Sequence, residues 1–188
     1  MARGSPTGLA LGPGYLFAAP LGTAEVTDLT TPGVPGWTAI SAAWLALGYT
    51  EAGSEFDYAL NVDQVLVAEE LDPVVNTTTG RTSTVTFNLS QLTRTNLNIA
   101  MNGGVFASGS GYVSIEPPDL GTEVRTMLGF ESEDHTERWI YRQCIQAGTM
   151  KITRAKGAAN ATIACTFNLE KPATGSRLFK AILSTARA

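Results

Sequence analysis

Between Arg3 and Arg81 the chain has no lysine or arginine at all, while nine carboxylates fall in that interval: Glu25, Asp28, Glu51, Glu55, Asp57, Asp63, Glu69, Glu70 and Asp72. Histidine occurs once, as His135, flanked by Glu133 and Asp134 in a sequence that reads as a surface turn. One imidazole with adjacent, not facing, carboxylates makes a poor general base or metal site. Cysteine occurs twice, at Cys144 and Cys165. Two cysteines without zinc-ligand spacing build neither a disulfide framework nor a metal finger, and buried thiols are the expectation. No apolar run approaches the roughly eighteen residues of a membrane helix. Leu9-Ala10-Leu11, cut by Gly12 and Pro13, is too short for a secretory core, so synthesis and use in a cytoplasm are expected. No nucleophile elbow, phosphate-cradling loop or dinucleotide fingerprint is present, and neither an enzyme nor a cofactor is expected.

What the chain does have is a division of charge. Residues 1–80 carry one base against nine acids, a balance of −8, while residues 81–188 carry twelve bases against eight acids, a balance of +4. Interspersed signs would serve solubility better. The acids are either solvated loops or a surface that meets the opposite surface of another copy, a heterologous contact that generates rings or filaments. Arg138, Arg142, Lys151, Arg154 and Lys156 fall within nineteen positions with no acid among them. A nucleic-acid patch would fit that density, but the chain is acidic overall and the bases lack interleaved stacking aromatics beyond Trp139 and Tyr141. Glu69-Glu70-x-Asp72 lacks a calcium-loop pattern and reads as solvated charge.

Alternation with period 2 dominates. From Arg81 to Leu89, Val85, Phe87 and Leu89 alternate with Thr82, Thr84, Thr86 and Asn88. From Ala161 to Leu169, Ile163, Cys165, Phe167 and Leu169 alternate with Thr162, Ala164, Thr166 and Asn168. Each strand has a core face and a face of small, uncharged side chains. Further strands are expected at Gly14–Ala19, Leu47–Thr50, Glu55–Leu60, Gln64–Ala68, Tyr112–Ile115, Val124–Glu131, Arg138–Ile145 and Met150–Thr153, with turns at Glu133–Thr136 and Lys156–Asn160. One helix is expected, capped by Ser90 and stopped by Gly103-Gly104. Arg177–Thr185 fits a helix or an edge strand. Residues 1–13 read as an extended N-terminal arm and 14–188 as one β domain. Its long loop, 22–44, should pack its Trp37 and Trp44 on its own domain or on a neighbour. The fold class is mainly β, a sandwich or barrel flanked by one α-helix.

Four segments, in order, carry a resemblance. They are Gly14-Tyr15-Leu16-Phe17-Ala18-Ala19-Pro20-Leu21-Gly22-Thr23-Ala24, then Leu47-Gly48-Tyr49-Thr50-Glu51-Ala52-Gly53, then Thr79-Gly80-Arg81 leading into Thr84–Phe87, and Asn96–Gly104. Together they resemble the major tail tube proteins of long, non-contractile-tailed bacteriophages. The resemblance implies a structural virion protein in the phage tail, assembled in the host cytoplasm as six-subunit rings stacked head-to-tail into a tube. Its partners would be further copies of itself, the tape measure, terminator and baseplate proteins, and double-stranded DNA in transit, with no membrane. A related terminator or baseplate ring protein shares the fold. The alternative class is a β-sandwich binding module, an adhesin or capsid-decoration protein, for which Trp37 and Trp44 would have to form an exposed platform. On the tube reading, the expected inter-ring interface is Glu51, Glu55, Asp57, Glu69, Glu70 and Asp72 against Lys151, Arg154 and Lys156. The expected lumen face is Thr82, Thr84, Thr86 and Asn88 with Thr162, Thr166 and Asn168.

Overall fold

The computed structural model describes residues 14–65, 72, 74–154, 161–172 and 176–185. In chain order the elements are β1 (Gly14–Pro20), α1 (Gly33–Ile40), β2 (Leu45–Ala46), β3 (Thr50–Val65), β4 (Val75–Leu89) and α2 (Arg94–Ala100). There follow β5 (Val105–Gly109), β6 (Tyr112–Glu116), β7 (Thr126–Ser132), β8 (Glu137–Gln146), β9 (Lys151–Thr153), β10 (Thr162–Leu169) and β11 (Phe179–Leu183). The protein is mainly β, as the alternation requires.

One large antiparallel sheet runs β2-β1-β7-β8-β10-β4-β3, with β11 added to β8 and β9 to β10, while β5 and β6 form a separate hairpin. β8 is the pivot. One edge of it pairs with β7. On the other edge Glu137–Tyr141 pairs with β11 and Cys144–Gln146 with β10. The sheet therefore folds over on itself, leaving an inner layer of β2, β1, β7 and β11 and an outer layer of β9, β10, β4 and β3.

The main core lies between the layers. Leu16, Ala18 and Leu128 meet Val85, Phe87, Cys165 and Phe167 there, and the Phe87 and Phe167 rings stack at 5.6 Å. Both cysteines are buried in this core; burial pushes the Cys165 thiol up to about 12 and the Cys144 thiol higher still. A second core lies behind the inner layer, where Phe17, Ala19, Met127 and Ile140 meet Val26, Trp37 and Trp44. β1 is apolar on consecutive residues because both its faces are covered.

The excursion at 22–44 contains a helix that the sequence does not announce. α1, Gly33-Val34-Pro35-Gly36-Trp37-Thr38-Ala39-Ile40, holds two glycines, a proline and three β-branched residues, and its N-cap has no side-chain hydrogen bond. Such a segment has poor intrinsic helicity. Packing holds it: Trp37 stacks on Phe17 at 4.5 Å and meets the edge of Trp44 at 4.7 Å. Fully burying an aromatic of this size stabilises by about 1.5–3 kcal/mol.

Other boundaries differ from expectation for local reasons. The expected strands at 55–60 and 64–68 are parts of β3, with residues 66–68 outside those described, and Leu47–Tyr49 link β2 to β3. Thr93, not Ser90, caps α2, its Oγ1 accepting from the Asn96 N–H at 3.2 Å. Asn102 and Gly103 end that helix at φ 56° and 98°. The C-terminal run is a strand, β11, because β8 offers it an edge. The Glu133–Thr136 turn joins β7 to β8, whereas the expected Lys156–Asn160 turn lies wholly outside the described residues.

Candidate assembly surface

β4 and β10, the two strands with matched neutral faces, are direct neighbours. Thr86 pairs with Thr166, Thr84 with Asn168, and Asn88 with Ala164. Cross-strand partners share a face, so the two neutral rows merge into one surface turned away from the core. β3 extends it, placing Glu55 opposite Thr86, Asp57 opposite Thr84 and Ala59 opposite Thr82. β9 extends it on the other flank, placing Lys151 opposite Ala164 and Thr153 opposite Thr162. Thr82 and Asn168 are exposed and Thr84, Thr86, Asn88 and Thr166 half-buried, but Thr162 is only 9% exposed and contributes little.

Two edges of this layer are open. Among the described residues β3 pairs only with β4, and β9 only with β10. Past Tyr58 and Ser83 the β3–β4 hairpin leaves the body, and Leu60, Val62, Val65, Val74 and Val75 are each about half exposed. A hairpin uncovered on both faces is marginal alone in water, and exposed apolar residues in contiguous array mark contact surfaces.

The expected interface residues that are described lie at the two ends of this layer, most of the acids on β3 and the bases at β9. Glu51, Glu55 and Asp57 are exposed on β3; Asp72 is exposed near the hairpin tip; Lys151 and Arg154 are exposed at β9. Glu69, Glu70 and Lys156 lie outside the described residues. The basic cluster is dismantled by the fold. Arg138 is 1% exposed and paired with Glu131, while Arg142 grips Glu25 through Nε and Nη2. That pair holds the Glu25 carboxyl below the usual carboxylate range.

A densely connected buried carboxylate, Glu131, is one the sequence reading missed. Glu131, closed to solvent at the end of β7, accepts from Gly33 N–H at 2.8 Å, Trp37 Nε1–H at 2.6 Å and Arg138 Nε–H at 3.1 Å. Its Oε1 also lies 2.7 Å from Nδ1 of His135, which sits in the turn at φ 55°. Arg138 further donates to the carbonyls of Asp28, at 2.7 Å, and Thr31. Burial pushes the Glu131 carboxyl up, but the donors from Gly33, Arg138 and Trp37 outweigh it and hold the group below its ordinary range. The signal was present: opposite charges flank a short turn at positions that register places face to face.

The fold is an antiparallel β-sandwich with a broad neutral polar face. A family model for phage tail tube proteins matches residues 7–169, so the chain belongs to the phage tail tube protein family and is a structural component of the virion tail. No curated protein matches the chain.

Proposed function

We propose that the chain closes into rings, six copies to a ring, that stack head-to-tail into a hollow tube conducting double-stranded DNA. The observation that carries this reading is the Thr/Asn face bordered by two strand edges that are unpaired among the described residues. Edges left open invite uncontrolled pairing, and closure of the sheet from copy to copy removes them. The Thr/Asn face then lines the channel. Lys or Arg there would capture phosphates and release their counterions, giving retention that depends steeply on salt. Thr84, Thr86, Asn88, Thr166 and Asn168 offer no such trap, and Glu55 and Asp57 repel the passing polyanion.

The projecting β3–β4 hairpin supports a role in joining successive rings. It carries apolar side chains on an arm that its own body does not cover, together with Asp63 and Asp72. The tape measure protein would occupy the lumen during assembly in the host cytoplasm, with terminator and baseplate proteins at the ends. A surface-recognising adhesin is disfavoured, because Trp37 and Trp44 are 0% and 1% exposed and supply no platform.

Electron microscopy of the purified protein tests the reading. Hollow tubes or stacked rings are expected without any cofactor; a strictly monomeric species at high concentration and low salt overturns it.

A further inference from the structure

β1 is covered along only part of one edge. On that side it pairs with β2 at Phe17 and Ala18, and the Leu47 N–H adds one bond to the Leu16 carbonyl. Gly48, at φ 81°, then turns the chain away to run beside β4 as β3. Among the described residues, Gly14 and Tyr15 are left with a strand partner only on the β7 side.

The gap is a cleft in two parts. One, of about 520 Å³, lies among Tyr15, Phe17, Val34, Tyr49 and Glu133. The other, of about 430 Å³, lies between Thr50–Ser54 and Phe130. Gly14 lines both. The first part is mainly apolar, and Tyr15, Val34 and Tyr49 stand about half exposed or more along it. Apolar side chains gathered at a concave surface mark a place of contact. The charged residues among those lining the cleft are both acids, Glu133 and Glu51.

The chain leading into the cleft has the matching chemistry. Residues 1–13 lie outside those described, and they join the fold at Gly14, the residue common to both parts. They carry the apolar run Leu9-Ala10-Leu11, and Arg3 is the one base before Arg81. The family match begins at residue 7 and so takes in both leucines. Distance is no obstacle. Leu11 reaches at most about 11 Å from Gly14 and Leu9 at most about 18 Å, while Phe17 lies about 10 Å from Gly14 along β1. Gly12, having no Cβ, reverses the chain without steric cost. A segment tethered this closely meets the cleft at an effective concentration on the order of millimolar, well above that of other copies in dilute solution.

We infer that in the unassembled subunit Leu9-Ala10-Leu11 of the same chain folds back into this cleft, its leucines covering the apolar part beside Tyr15 and Tyr49 and Arg3 drawn to the acids at the rim. The seat shields from water and from other copies an apolar surface that the described residues leave bare. It concerns a single copy and stands apart from the ring reading above.

Crosslinking tests it in the full chain at low protein concentration. With Leu11→Cys and Tyr49→Cys, oxidation should close a disulfide within one chain, seen as a faster-migrating monomer that reduction reverts. The native thiols are buried and do not compete. Adding Leu9→Asp should slow closure by at least about tenfold, because the burial of one leucine is worth that much. A segment that merely sweeps past the cleft closes at the same rate with either residue. As a second arm, Leu9→Asp with Leu11→Asp in the otherwise parental chain should raise the fluorescence of an apolar-surface dye several-fold while circular dichroism stays as in the parent. Closure between chains instead of within one, no closure, a rate indifferent to Leu9→Asp, or unchanged dye fluorescence overturns the seat. Each of these leaves the ring reading as it stands.

Discussion

Glu131 Oε2 accepts from Arg138 Nε–H at 3.1 Å with both side chains closed to water, and the pair is the knot that ties α1 to the β7–β8 hairpin. Its reach is wide. Through Gly33, Trp37, Asp28 and Thr31 it fixes a helix that has little propensity of its own, roughly a hundred positions away in the chain. Arg138 also lies 5.9 Å from the Trp37 ring centroid.

Glu131→Gln should destabilise the subunit by about 3–5 kcal/mol, because it leaves the Arg138 guanidinium buried without its counter-charge. Glu131→Gln combined with Arg138→Met should cost less than the sum of the single changes, since the stranded charge is gone. Urea unfolding followed by tryptophan fluorescence reads both. Additive effects would show that the two groups act independently.

Acid should unfasten the same knot. Glu131 is held below its ordinary carboxylate range when folded, so its stabilisation is complete at pH values above the range of the unfolded carboxyl. It is lost as pH falls through the lower, folded value. Glu25, depressed chiefly by its hydrogen bond from Arg142, adds to the same limb. Thermal unfolding should therefore be nearly independent of pH on the neutral side of that range and fall steeply on its acid side. Glu131→Gln should flatten the fall, and an unchanged acid limb in that variant would remove Glu131 from the account.

Gly129 leaves space that Trp37 uses. A Cβ at this position would overlap Trp37 ring atoms, since the indole lies directly against the β7 backbone. Gly129→Ala should cost about 1–3 kcal/mol by displacing the ring or straining the strand. Trp37→Phe in the same chain should relieve part of the penalty, which calorimetry of the single and double variants would reveal.

Legibility followed solvent. β10, expected over Ala161–Leu169, could be read to within a residue because one of its faces is buried and the other is not, which is the condition that writes period 2 into a sequence; β4, expected over Arg81–Leu89, begins six residues earlier, at Val75, where both faces are exposed. β3 was read as two strands because residues beyond Tyr58 are exposed on both faces, so alternation there encodes nothing about burial. α1 could not be read at all, because the contacts that make it helical come from Glu131 and Phe17, far away in the chain. The neutral face was legible residue by residue, apart from the near-burial of Thr162. Its neighbours Glu55, Asp57 and Lys151 were visible as charges, but their places on opposite lips of one layer depend on strand order, which no local pattern contains.

Placement of that neutral face can be tested through DNA. On an exterior surface, exchange of a threonine for lysine is nearly silent, usually within about 0.5 kcal/mol. In a channel the same exchange repeats in every copy of every ring and builds a cationic sleeve around a polyanion. Thr84 and Thr166 suit the test: each is half-buried on the neutral face, and they lie on different strands, opposite Asn168 and Thr86 respectively. Thr84→Lys with Thr166→Lys should leave tubes visible by electron microscopy, because both side chains point away from the core. DNA delivery by particles carrying both changes should slow, and the delay should shrink as salt is raised, the signature of counterion release. Delivery at the parental rate at low salt would place this face outside the channel.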